Sequence, residues 1–240
     1  MSILNFNYQN PTRIIFGQGQ IAEISNYIPK DKKVFMCYGK GSIKRNGVYD
    51  QVMTALKGYE VTEFQGIEAN PDYDTLMKAV AILKENGPEN YFILAVGGGS
   101  ISDGCKFIAM AAFYNGENPY EDLLVRLGAD CHKSVPLGVI MTLPATGSES
   151  NSGCVISCRR THGKFGIHNP NNFPVFAVLD PDTSMEIMKV LEQINAMGTT
   201  IIMATHDRDI VDRMKKRVVI LDHGRLARDI EKGGYYNERA

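Results

Sequence analysis

Short apolar runs alternate with amphipathic stretches through the first three-quarters of the chain. Lys33–Tyr38 (KVFMCY), Tyr59–Gln65 and Tyr91–Val96 (YFILAV) read as strands, and the last is wholly apolar, which places it centrally in a sheet. Leu137–Thr142 and Val175–Leu179 are further buried strands, and the β-branched run Gly153–Arg160 (GCVISCRR) also reads as extended. Helical periodicity fills Asn46–Lys57, Tyr73 to about Asn86, and Ile101–Phe113. Strands alternating with helices of this length predict an α/β fold in which a parallel sheet carries helices on both faces.

Near Pro181 the pattern changes and charged side chains become denser. A helix over Ser184–Met197, a strand over Thr199–Thr205, a helix over Arg208–Lys216, a strand over Val218–Leu221 and a turn at Gly224 are predicted there. Such a short α/β tail has little core of its own and must dock on something to be stable. The chain therefore divides into 1–181 and 182–240.

Composition narrows the function classes. Across 240 residues, 26 Lys and Arg nearly balance 27 Asp and Glu, so no charge bias points to nucleic acid or to an acidic membrane surface. No apolar run approaches bilayer length, and the N-terminus carries no basic, then apolar, then small-residue signal, so no membrane insertion and a cytoplasmic location are expected. Five scattered cysteines read as thiols rather than a disulfide framework.

The candidate chemistry centres on Gly97-Gly98-Gly99-Ser100, where an apolar strand breaks and a helix begins. Glycines let the backbone turn tightly and let an anion approach, and the helix start beyond offers unpaired N–H groups and a positive dipole end. Ser100 is placed as N-cap with Asp103 three residues on, so a well-capped helix after a glycine turn is the plainer reading. Three more polar turns fall at strand ends: Gly39–Ser42, Glu68–Pro71 and Thr142–Glu149. Ligands of doubly wound sheets sit at such ends, and four turns together fit one extended ligand.

Here the sequence resembles a known family. Gly97–Lys106 (GGGSISDGCK) looks like the GGGS-x-x-D-x-x-K motif of the iron-dependent alcohol dehydrogenases, and Thr142–Asn151 (TLPATGSESN) is similar to that family's second signature. Asn5–Gly17 resembles its N-terminal hairpin and Phe176–Pro181 (FAVLDP) its end-of-domain strand, most like the NADPH-dependent butanol dehydrogenase branch. The resemblance implies a Rossmann-like coenzyme domain over 1–181. It implies that Gly98, Gly99 and Ser100, with Gly97 completing the turn, hold the pyrophosphate, and that Asp103 sits beside the nicotinamide end. Thr142, Leu143 and Thr146 would line the adenosine and ribose side, Asn70 and Pro71 would border the cleft, and Lys164 would meet a ribose hydroxyl. The turn after the second strand adds Gly39, Gly41 and Ser42. It carries Lys40, with Lys44 and Arg45 close behind and no acid, which favours NADP(H) over NAD(H) unless these are only solvated surface charges.

The family's iron ligands, an Asp and three His, lie in an all-helical half that should begin just after Pro181. No Asp-x-x-x-His pair occurs in the chain, so the iron is not expected to bind. Cys154, Cys158 and His162 are spaced by four, but on a strand such positions lie far apart, and buried or edge thiols are expected. His132 is expected on the surface. Asp180–Glu238 instead resembles the C-terminal end of an ABC-type ATPase of the cell-division ATP-binding kind, through Leu179–Ser184, Gly198–Asp207, Arg217–Asp229 and Gly233-Gly234-Tyr235. In that family the place of His206 senses a γ-phosphate. No G-x-x-x-x-G-K-[ST] loop occurs in this chain, so ATP hydrolysis is not expected. The two resemblances exchange at Leu179-Asp180-Pro181, leaving recombination, an engineered chimera or an assembly error open. The expected protein binds a small-molecule coenzyme, has oxidoreductase ancestry and impaired catalysis, and exposes apolar surface. A homo-oligomer stays open, and an ATP-binding role through the tail is the alternative.

Overall fold

The apolar runs pair into one six-stranded sheet in a computed structural model of the chain, which describes residues 9–180, 192, 194–204, 211–212, 214–222 and 224–231. Its strands are β1 (Arg13–Phe16), β2 (Lys33–Tyr38), β3 (Val61–Gln65), β4 (Tyr91–Gly98), β5 (Leu137–Leu143) and β8 (Phe176–Leu179), in the order β1-β8-β5-β4-β2-β3. Every pairing within it is parallel. The hairpin of β6 (Gly153–Cys158) and β7 (Gly163–His168) stands apart as a separate antiparallel pair. The expected Rossmann-like α/β architecture is what forms.

Helices cover both faces because side chains alternate along each strand. From β2, Phe35 and Cys37 enter one core with α3 (Tyr73–Glu85) and α4 (Gly99–Ala111). Val34, Met36 and Tyr38 enter the other, with a 3-10 stretch at Gln20–Asn26, α1 (Ser42–Arg45) and α2 (Val48–Ala55). The helix expected over Asn46–Lys57 forms as α2, with Gly47 at its start as a left-handed N-cap (φ 77°), and the short α1 before it is an additional turn. From Tyr91 to Gly97 the central strand is buried throughout, as its wholly apolar sequence requires.

This order fixes where a ligand can bind. The chain leaves β2 outward to β3, then returns to place β4 on the other side of β2. The winding reverses between β2 and β4, so the loops at their carboxyl ends part to leave a crevice.

The chain forms two compact units, Met1–Val190 and Leu191–Ala240. In the second, β9 (Val218–Asp222) and β10 (Arg225–Ile230) make an antiparallel hairpin turning at Gly224, with Arg217 donating to Asp229 at 2.8 and 2.6 Å. The strand expected over Thr199–Thr205 does not form in its described residues, 199–204, where no neighbouring strand offers a ladder and Ile202 is 94% exposed. Most of the helix expected over Ser184–Met197 lies outside the described residues, as do residues 5–8, His206, His223 and the Gly233–Tyr235 string. Among the described residues no helix is long and apolar enough to cross a membrane.

One packing constraint is testable. Phe92 and Phe176 stack at 5.9 Å, and a Cβ on Gly138 would meet the Phe176 ring at 2.4 Å. Gly138→Ala is expected to destabilise the chain by about 1–3 kcal/mol through overpacking, measured by denaturant unfolding; unchanged stability would show that the ring yields freely.

Candidate functional site

A cleft of about 430 Å³ opens at the switch point between β2 and β4, lined among others by Gly39, Lys40, Ser42, Gly97, Gly98 and Thr142. Two glycines of the turn beside it are demanded by the protein's own packing. A Cβ on Gly97 would lie 2.5 Å from the Ile101 side chain, and one on Gly99 would lie 2.8 Å from the Thr146 hydroxyl. At Gly98 a Cβ would make only ordinary contact with Leu143, at 3.6 Å. The bare backbone of Gly98 faces the cleft instead, where it permits close approach by a ligand. Gly41 caps α1 with φ 100°, a conformation that favours glycine.

Ser100 does not cap the helix as expected. Gly98 is the N-cap residue and offers no side-chain bond, because the β4–β5 register shifts between Gly97 and Gly98 and the chain enters α4 directly from that irregularity. Ser100 therefore lies in the first turn, where its hydroxyl accepts the Asn70 N–H at 3.4 Å. Asn70, left-handed at φ 58°, lines a second cleft of about 490 Å³ together with exposed Lys164; Ala69 lines both clefts. Leu143 and Thr146 are exposed beside the glycine turn. Pro71 is buried and takes a packing role, its carbonyl accepting the Ser157 N–H at 2.9 Å and so hitching the β6–β7 hairpin to the start of α3.

Asp103 belongs to a buried network that the sequence reading did not assemble. One carboxylate oxygen accepts the Ser148 hydroxyl at 2.6 Å and the other the Val155 N–H at 3.0 Å. At its centre stands Lys106, with no exposed surface. Its ammonium donates to Ser148 Oγ at 3.0 Å, Asn151 Oδ1 at 3.0 Å and the Gly153 carbonyl at 2.8 Å. Burial pushes the Lys106 ammonium down to about 8, against the opposing pull of Asp103. A lysine amid the apolar run Cys105, Phe107, Ile108 and Ala109 was the available signal.

The basic residues after β2 separate. Lys44 sits 4.7 Å from the centre of the Tyr49 ring and 5.2 Å from that of Tyr38, whose hydroxyls donate to Glu63 at 2.8 and 2.6 Å. Its bond to Tyr38 raises the Lys44 pKa. Lys44 is thus committed to an aromatic cluster, and Lys40 is the basic residue of this turn that lines the cleft. Cys154 and Cys158 are buried in the hairpin, and burial pushes the Cys154 thiol up to about 12. Among the described residues no three His, Cys, Asp or Glu side chains converge so as to hold a metal ion.

Comparison with known proteins gives two kinds of match. The family described as iron-containing alcohol dehydrogenase matches residues 11–181. The NADPH-dependent aldehyde reductase YqhD of Escherichia coli is 51% identical over 177 residues, covering 74% of this chain and 45% of that protein. A crystal structure of YqhD superposes with a TM-score of 0.71, covering 75% of this chain and 46% of that one. NADH-dependent butanol dehydrogenase A of Thermotoga maritima superposes at 0.68 with 37% identity, covering 75% and 45%. The chain spans about half the length of these relatives. Separately, the cell division ATP-binding protein FtsE of Bacillus subtilis is 56% identical over 57 residues, covering 24% of this chain and 25% of that protein.

The lysine network generates a pH prediction. The folded pKa lies below the unfolded value, so the buried ammonium costs stability below about pH 8, and the cost is relieved as pH rises from about 8 to 10.5. Unfolding free energies of the wild type and Lys106→Met, measured at pH 7 and pH 10, should shift relative to each other by about 2–3 kcal/mol in favour of the wild type at the higher pH. Parallel pH profiles would contradict the assignment.

Proposed function

The chain belongs to the iron-containing alcohol dehydrogenase family through residues 11–181, and from that premise we propose that it is the NADP(H)-binding part of an alcohol or aldehyde oxidoreductase, with catalysis impaired. The observation that carries this reading is the glycine-lined cleft at the β2–β4 switch point, against the N-terminus of α4. The N–H groups of that helix start and the bare backbone of Gly98, Gly99 and Ser100 suit a pyrophosphate. Gly39, Gly41 and Ser42 face the phosphorylated ribose, with Lys40 supplying the charge. Thr142, Leu143 and Thr146 flank the adenosine side, and Asn70 and Lys164 extend the site into the second cleft.

The family's reaction interconverts alcohols and aldehydes by hydride transfer, with a divalent iron polarising the substrate oxygen. The described residues do not fit that ion, since no set of three converging donors is present among them. The division we propose is 1–181 as coenzyme domain and 182–240 as an ABC-ATPase-like segment. FtsE similarity favours a second, ATP-binding reading for that segment, but without a G-x-x-x-x-G-K-[ST] loop in the chain it supports no hydrolysis.

Calorimetric titration of the full chain with NADPH should give saturable binding. Butanal reduction with added Fe²⁺ or Zn²⁺, and ATP hydrolysis, should both be negligible. Absence of dinucleotide binding would remove the coenzyme assignment, and metal-responsive turnover would overturn the impaired reading.

A further inference from the structure

Two charged side chains line the first cleft, Lys40 and Glu68, and their circumstances differ. Lys40 is exposed and has no hydrogen-bond or ion-pair partner among the described residues. Glu68 is held: one oxygen accepts the Thr75 hydroxyl at 2.9 Å and also the Arg159 guanidinium, which pairs with it as a salt bridge. Its other oxygen is buried without a partner. Arg159 comes from the far end of β6 and lines the second cleft, so the ion pair forms part of the wall between the two clefts. The guanidinium is itself anchored, its Nε 3.5 Å from Asp72, while the Arg159 N–H donates to the same carboxylate at 3.0 Å.

We propose that Arg159 is a positioning residue for coenzyme selection, holding the Glu68 charge so that Lys40 is left as the uncompensated charge facing the ligand. This rests on the coenzyme reading above. An acidic side chain near the adenosine ribose binds a free 2′-hydroxyl and repels a 2′-phosphate. Glu68 lines the cleft at the end of β3 and would do both if its charge were unmatched. The Arg159 guanidinium, shared with Asp72, offsets part of that charge, and Lys40 attracts the dianionic 2′-phosphate. Selectivity for the phosphorylated dinucleotide thus depends on a residue that lines the neighbouring cleft.

The test is the ratio of NADP⁺ to NAD⁺ affinity, measured calorimetrically on the full chain. Arg159→Met should lower the ratio by about three- to tenfold, chiefly by weakening NADP⁺. Adding Glu68→Gln in that background should restore it, which a merely structural role for Arg159 would not do. Glu68→Gln alone keeps Arg159 anchored on Asp72 and should raise the ratio, so the inference remains testable even if Arg159→Met folds poorly. Lys40→Ala should lower the ratio by a similar factor. A ratio unchanged in Arg159→Met, or unchanged or lowered in Glu68→Gln, overturns the inference. A wild type that binds neither dinucleotide overturns the coenzyme reading instead.

Discussion

An ammonium removed wholly from water must be met by oxygen atoms, and Lys106 meets that demand by drawing three acceptors from residues 148, 151 and 153 onto the flank of α4. Removing any one leaves a buried charge short of partners, so the loop after β5 is held against the helix that begins at the glycine turn. Asp103 fastens the same loop from the next turn of the helix and reaches the backbone of β6 at Val155. The β6–β7 hairpin is tied a second time, through Ser157 to Pro71 and through Arg159 to Asp72. The 39–42 turn is tied as well, the Gly39 carbonyl accepting the Gly66 N–H at 3.2 Å.

Such fixing matters for a site made mostly of backbone. A glycine turn gains no precision from its own side chains and must take it from its surroundings. Ile101 closes one side of Gly97, Thr146 closes over Gly99, and Gly98 has room beside its backbone where it lines the cleft. The cleft is thus preformed by packing and the lysine network, with the start of α4 forming part of its wall.

How much of this was legible in the sequence depended on the range of the interactions. The strands were legible because a wholly apolar run such as 91–96 has nowhere to go but the centre of a parallel sheet. The short α1 before Gly47 was not, since four residues carry too little of a helical period to be read. Ser100 is not the N-cap because the helix follows directly on the shifted β4–β5 register and starts at Gly99, two residues earlier than expected. The strand expected at 199–205 lacked what local pattern cannot supply, a neighbour to pair with. The loops lining the cleft were legible as turns, but the Lys106 network joins residues more than forty positions apart, and no local periodicity encodes it. Nor could spacing reveal that Lys44 turns to Tyr38 and Tyr49 while Lys40, four residues before, lines the cleft.

Residues 11–181 belong to the iron-containing alcohol dehydrogenase family and the tail is similar to the end of another protein; the central proposal is that dinucleotide binding is confined to the first. Amide hydrogen exchange of the full chain with and without NADPH tests it most directly. The account predicts slowed exchange at the Gly98–Ser102 amides, in the 39–42 turn and across 142–153, with residues beyond 191 unchanged. Protection confined to the C-terminal segment, or no change at the glycine turn under saturating NADPH, would contradict it.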